Sequence, residues 1–183
     1  MSTAVAEQLY TADQLFEMGE ESRCELVKGI LREMSPTGGT HGSFTAIISG
    51  RIIVYVADHG LGTCFAAETG FIVNRDPDTV FAPDFAFVAK DRVPVPLTEK
   101  FVPVVPDLVV ETRSPWDRKT EVLVKVREWL DADVRMVLEL NPMTRQLTVY
   151  RPGRPAEVLG PTDDFQGDDV LPGFALEVSK IFV

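Results

Sequence analysis

Between Phe81 and Leu130 the chain reads Phe81-Ala82-Pro83-Asp84-Phe85-Ala86-Phe87 and, after a proline-rich connection, Leu108-Val109-Val110-Glu111-Thr112-Arg113-Ser114-Pro115, followed by a segment carrying Lys125. Alternation along an extended chain puts Asp84 on the side of Ala82 and Ala86, opposite Phe81, Pro83, Phe85 and Phe87. The same period sets Glu111 beside Arg113, with Leu108, Val110 and Thr112 on the other face. Each acid thus ends or interrupts an apolar strand, where lost hydration has to be offset by a cation or by hydrogen-bond donors. Two such acids suit a magnesium ion, which prefers carboxylate oxygens, keeps several waters and needs only one or two protein carboxylates. Taken singly, either acid reads as a strand-end charge facing solvent or pairing with Arg113.

The segment after Glu111 predicts a helix. Ser114 is a candidate N-cap, Pro115 suits the first helical position, and Asp117 complements the positive end, with the helix running to about Ala132. Val122, Val126, Trp129 and Leu130 form its packing stripe. Lys125 sits on the stripe's edge, and Glu121 and Glu128 turn outward. A lysine so placed is ordinarily a snorkelling stem; its position one helix after Glu111 is what makes it a candidate for the site.

These residues, with Ala82-Pro83-Asp84 and Glu111-Thr112-Arg113-Ser114-Pro115 in order, resemble the PD-(D/E)XK restriction-endonuclease-like superfamily. More closely they resemble its Uma-type family of endonuclease-like proteins, a domain of unknown function. The similarity runs from Thr11 to Phe182 and includes Cys24 to Gly29, Met34-Ser35-Pro36 with His41-Gly42, Glu68-Thr69-Gly70 and Leu171-Pro172-Gly173-Phe174. The resemblance implies Asp84 and Glu111 as metal ligands, with the Thr112 carbonyl as a third. It also implies that the superfamily's strand lysine, replaced here by Arg113, has moved to Lys125 on the following helix. Arg113 stays protonated and is no general base, but its planar donors suit a phosphate. The cofactor so implied is Mg2+, with Mn2+ as a substitute.

The remaining chain supplies bounds. At 183 residues, with 45% hydrophobic and 25% charged, it fits one globular domain over 1–183 that buries roughly 70% of its unfolded surface. No apolar run spans a bilayer, and 1–10 lacks the basic region and apolar core of a signal peptide, so a cytoplasmic protein with no membrane partner is expected. Cys24 and Cys64 are too few for a disulfide scaffold and are expected reduced. The net charge of −10 opposes a polyanion, so DNA as partner requires a local basic patch, for which Arg113, Arg118, Lys119, Lys125 and Arg127 are the candidates.

In order, Thr11 with Gln14 predicts a capped short helix. Glu25 to Met34 predicts a hairpin turning at Lys28-Gly29, and Phe44, Ile47, Ile48, Ile52, Tyr55 and Val56 a helix from about His41 to His59. His41 lies at that helix's positive end, where a neutral imidazole is favoured, either contacting a phosphate or metal-bound water or acting as a cap. Glu25 in the first strand and Glu68 in a strand from Cys64 to Val73 match acidic family positions. Each reads as an outer acid around a metal or, more commonly, a surface or structural one. Asn74 to Asp78 predicts a turn pairing that strand with the Asp84 strand, and the connection holding Pro94, Pro96, Pro103 and Pro106 predicts a loop over the site's rim. Arg135 to Leu140 and Gln146 to Arg151 predict a hairpin, and Phe174 to Val183 packs back on the core.

The expected fold is α/β, with a central mixed, mainly antiparallel sheet flanked by helices and a C-terminal β-hairpin extension. The expected function is metal-dependent endonucleolytic hydrolysis of DNA phosphodiester bonds. Magnesium would be held by Asp84 and Glu111, Lys125 would orient water or neutralise charge, and Arg113 would hold phosphate. The alternatives are hydrolysis of another phosphoester, or a catalytically inactive module of the same fold serving protein interaction. The exposed strands of the C-terminal hairpin suit a homodimer.

Overall fold

The structure, a computed structural model, describes residues 8–19 and 23–183; the first seven positions of the stretch read for a signal peptide lie outside these. Thr11 opens helix α1 (Ala12–Glu17) as expected: its hydroxyl accepts from the Gln14 amide at 3.2 Å while the Gln14 carboxamide accepts from the Thr11 amide at 2.8 Å. The amide of Ala12 donates at 2.7 Å to buried Asp78, which ties this short helix to the body. Strands β1 (Cys24–Val27) and β2 (Ile30–Glu33) form the predicted hairpin. Lys28 (φ 52°) and Gly29 (φ 82°) both take positive φ, the requirement of the tight turn that matches strand twist. A Cβ at Gly29 would also stand 3.0 Å from the Leu9 side chain. Gly29→Ala should therefore cost about 1 kcal/mol, read as a lower urea midpoint at unchanged slope.

Helix α2 (Gly39–His59) starts two residues before the expected His41 and ends where Gly60, at φ 61°, turns its amide back to the carbonyls of Val56 and Ala57. Its buried Ile48, Ile52 and Val56 pack on one face of a six-stranded sheet. That sheet runs in the order β10-β9-β8-β7-β6-β3, comprising β3 (Gly62–Ala66), β6 (Phe85–Ala89), β7 (Leu108–Thr112), β8 (Met136–Asn141), β9 (Gln146–Tyr150) and β10 (Glu157–Leu159). Only the β7–β8 pair is parallel, and helix α3 (Lys119–Asp131) makes the crossover between these two strands. Alternation sorts the residues within these strands as read, except that Phe81, before the crossing, packs on the α3 side with Ala86 and not with Phe85 and Phe87. Phe85, Phe87, Leu108 and Val110 face α2, while Ala86, Val88 and Val109 face α3, where Val126 and Trp129 are buried. The C-terminal Phe174, Ile181 and Phe182 pack into the α2-side core around the small β11 (Asp164–Gln166) and β12 (Ala175–Glu177) hairpin.

Three expectations are corrected. The run Cys64 to Val73 is two strands in different sheets. β4 (Phe71–Asn74) leaves β3 behind at a turn containing Glu68 (φ 69°), and it pairs with β5 (Thr79–Phe81) in a second sheet of order β2-β1-β5-β4. The break is forced where Phe101 lies over Gly70, at which an added Cβ would come within 2.4 Å of the ring. Asp84 is consequently in no strand: Ala82-Pro83-Asp84 is the crossing by which the chain passes from β5 to β6 in the other sheet. Pro83, lacking an N–H, suits such a break. The proline-rich connection does not roof the site either. Its Val102 exchanges backbone hydrogen bonds with Gly70 and Ile72, and Phe101 meets Phe16 edge-on at 5.4 Å, which draws the segment towards α1 and β4.

At the start of β7 the fully buried carboxylate of Asp107 accepts from the Ala89 amide at 2.8 Å and pairs with Arg92 at 2.8 Å and Arg135 at 3.2 Å. This clasp holds β6, β7 and the approach to β8 together. Among the described residues no helix is long and apolar enough to cross a membrane, and Cys24 and Cys64 are both free thiols.

Candidate active site

The opposite end of β7 gathers the chain's chemistry. Glu111, the last outward residue before Thr112, lies on the α3 face, and Thr112 turns to α2, where its hydroxyl is 2.7 Å from that of Thr45. The Thr112 amide donates to Asp84 Oδ2 at 2.7 Å, pinning the sheet crossing to the strand end. His41 Nε2 stands 3.2 Å from the same oxygen. From α3, Lys125 Nζ reaches Glu111 Oε1 and Glu25 Oε1, each at 3.1 Å. The Trp129 indole N–H donates to Glu111 Oε1 at 2.8 Å, and the Ala82 amide donates to Glu25 Oε1 at 3.0 Å. Glu25, His41, Asp84, Glu111, Thr112, Arg113 and Lys125 all border one open cleft of about 530 Å³.

Burial pushes the Glu111 carboxyl up to about 7. Lys125 and the Trp129 hydrogen bond pull it down, but the nearby charges of Asp84 and Glu25 add to the rise. Burial disfavours the Lys125 ammonium, yet Glu111 and Glu25 outweigh that and hold its pKa above the usual lysine value, so it stays charged. At His41 burial acts against the charged ring, but the hydrogen bond and charge of Asp84, and a bond to the Thr112 backbone, raise it above the ordinary value. Asp84 therefore works against the neutral imidazole expected from the helix end alone.

Other positions differ from expectation. Ser114 and Pro115 do not begin α3. Asp117 takes the Ser114 amide at 2.7 Å in a closed turn, and the helix starts at Lys119. Glu121 lines the cleft instead of turning outward, and Arg118, Lys119 and Arg127 do not line it, so of the expected basic patch Arg113 and Lys125 remain, joined by Arg32. Arg113 pairs with buried Glu139 at 3.7 Å and donates to the Asp117 carbonyl at 3.2 Å, not to Glu111. Glu25 is buried inside the cluster, whereas Glu68 is exposed, bonded to Arg23, and does not line the cleft. Trp129, Thr45 and the Glu139–Tyr150 pair (2.6 Å) were not singled out from sequence. A buried indole needs an acceptor, and the spacing of four from Lys125 was the available signal for Trp129.

Every contact of Asp84 falls on Oδ2 and every contact of Glu111 on Oε1, which leaves one oxygen of each for a cation. Among the described residues no group of three or more His, Cys, Asp or Glu is arranged to hold a metal. The donors on hand are thus the two carboxylates, a set of the kind a hard, largely hydrated divalent ion accepts.

A mixed sheet with a helix on either face and acids at the end of its central strand is a restriction-endonuclease-like fold. The structure superposes on the crystal structure of a putative nuclease belonging to DUF820 from Anabaena variabilis ATCC 29413, solved at 1.96 Å. The TM-score is 0.82 at 20% identity, covering 94% of this chain and 97% of that one. The Uma2 family model, described as "Putative restriction endonuclease", matches residues 7–179, and the chain belongs to that family. No curated protein matches it.

Proposed function

We propose that residues 1–183 form one nuclease domain that hydrolyses phosphodiester bonds of DNA in the cytoplasm with a magnesium ion, for which manganese can substitute, held by Asp84, Glu111 and the Thr112 carbonyl. The observation that carries this reading is the convergence of Asp84, Glu111 and Lys125, from three separate elements, on one open cleft. When bound, magnesium supplies positive charge to the scissile phosphate and lowers the pKa of a coordinated water. Lys125, charged and braced between Glu25 and Glu111, neutralises charge that develops at the phosphate and is no general base. Arg113, whose Nε is buried without a hydrogen-bond partner, is oriented by Asp117 and Glu139 to hold a phosphate oxygen. His41 and Trp129 position the two carboxylates.

Calorimetric titration with manganese tests the reading: binding is expected, and Glu111→Gln removes it. Because Glu111 must lose its proton to act as ligand and titrates near 7, apparent affinity rises with pH between 6 and 7.5, by up to about tenfold per unit below the pKa. A flat profile contradicts the assignment of Glu111. The inactive-module reading is favoured by one observation, that each acid already has a protein nitrogen beside it, the His41 imidazole at Asp84 and the Lys125 ammonium at Glu111; it predicts no heat of metal binding. The same proposal includes a homodimer through the sheet edge at β10, where Val158 is exposed; light scattering at the mass of two chains would support it.

A further inference from the structure

Trp116 is 90% exposed on the wall of the cleft, while the other tryptophan, Trp129, is fully buried. The exposed indole is not on a loose tip. The turn that carries it is closed by the Ser114 amide on Asp117 Oδ2 (2.7 Å), by the Asp117 amide on the Ser114 carbonyl (3.1 Å), and by the Arg113 guanidinium on the Asp117 carbonyl (3.2 Å). A large apolar ring is thus presented to water from a closed turn, on the lining of the cleft that holds the acids of the proposed site.

The charges of the cleft say what that ring would meet. Glu25, Asp84, Glu111, Asp117 and Glu121 outnumber Arg32, Arg113 and Lys125. Each of those cations is already paired, Arg32 with Glu128 at 3.8 Å, Arg113 with Glu139 at 3.7 Å, and Lys125 with two acids. Duplex binding draws its sequence-independent affinity from lysine and arginine on phosphates, and this cleft offers little of it. Single strands share that shortage of phosphate contacts, but stacking on an aromatic face adds roughly 5- to 100-fold in affinity per base and is open only to a base not already stacked in a helix. Beyond Trp116, a second pocket of about 250 Å³ shares His41 and Arg113 and is walled by Pro115, Pro142 and Met143, an apolar continuation of the same groove.

We infer that the substrate is single-stranded DNA, or a strand with an unpaired nucleotide, whose base stacks on Trp116 next to the scissile phosphate. This rests on the nuclease reading and names its substrate class. The mode is sequence-tolerant, since every base has a face to offer.

Tryptophan fluorescence of the full chain, in buffer with calcium replacing magnesium, reads the contact directly because Trp116 is the exposed indole. A short oligothymidylate should quench it, and the matching duplex and an abasic oligomer should bind more weakly. Trp116→Ala, followed by anisotropy of a labelled oligomer, should raise Kd by about 5- to 100-fold, with Trp116→Tyr within a few-fold of the parent. Equal affinity for the duplex or abasic strand, an unchanged Kd in Trp116→Ala, or a change of oligomeric state in that variant would overturn the inference. Plasmid nicking by the parent chain separates the two levels. If metal-dependent nicking occurs and Trp116→Ala binds the oligomer normally, only the stacking falls. If the parent cleaves no nucleic acid with magnesium or manganese, the nuclease reading falls and the inference with it.

Discussion

Asp84→Asn should abolish the proposed magnesium-dependent nicking of plasmid DNA and leave the protein folded. Asparagine keeps the shape of aspartate and an oxygen that accepts from the Thr112 amide, so the pin between sheet crossing and β7 survives. What it loses is the charge that draws a cation to the cleft and the charge that raises the pKa of His41. Changing a residue that merely orients a metal ligand costs 10- to 100-fold. Removing one of two carboxylate ligands should exceed that, so activity falls below detection in a gel assay while the thermal midpoint moves by only a few degrees. Nicking at the parental rate by Asp84→Asn would remove Asp84 from the chemistry.

The largest loss of stability is expected at the other end of β7. Asp107→Ala removes the fully buried carboxylate that receives Arg92, Arg135 and the Ala89 amide. The amide loses its acceptor inside the sheet, Arg92 loses its counter-charge, and Arg135 is left with Asp169 at 2.7 Å. Those arginines are 38% and 41% exposed and can turn to water, which keeps the cost below that of a sealed ion pair. About 3 kcal/mol follows, or roughly 6–12 °C in Tm for a chain of this size. Metal affinity per folded molecule should be unchanged, since Asp107 lies at the far end of the strand. A midpoint within 2 °C of the parent would show that the clasp is dispensable.

What sequence alone disclosed follows the range of the forces involved. The Thr11–Gln14 cap, the Lys28-Gly29 hairpin, the Val122–Val126–Trp129 stripe and the alternation along Leu108 to Thr112 rest on neighbours within a few positions, and all four appear as read. The errors lie where distant residues decide. Cys64 to Val73 has the composition of one strand, but it divides at a turn where Glu68 takes positive φ and Phe101, from within the proline-rich segment, packs over Gly70. Ser114-Pro115 has the composition of a helix start, but the Asp117 side chain takes the Ser114 amide and delays the helix to Lys119. Glu25 looked like an ordinary strand acid; its burial comes from the Ala82 amide, 57 positions away, and from Lys125. Lys125 falls beside Glu111 as strand alternation and helical spacing aim them, whereas Asp84 lies in no strand and was pointed to by the family resemblance alone. The partners that tune the two acids, His41 on Asp84 and Trp129 on Glu111, depend on how α2 and α3 lie across the sheet.

The claim on which the rest depends is that Asp84 and Glu111 share one cation. A crystal of the protein grown with manganese and measured at the manganese absorption edge tests it most directly. The account predicts one strong anomalous peak in the cleft, about 2.1 Å from an oxygen of each carboxylate, with water completing the shell. A cleft without such a peak, with Lys125 and His41 still the partners of the two acids, would contradict it.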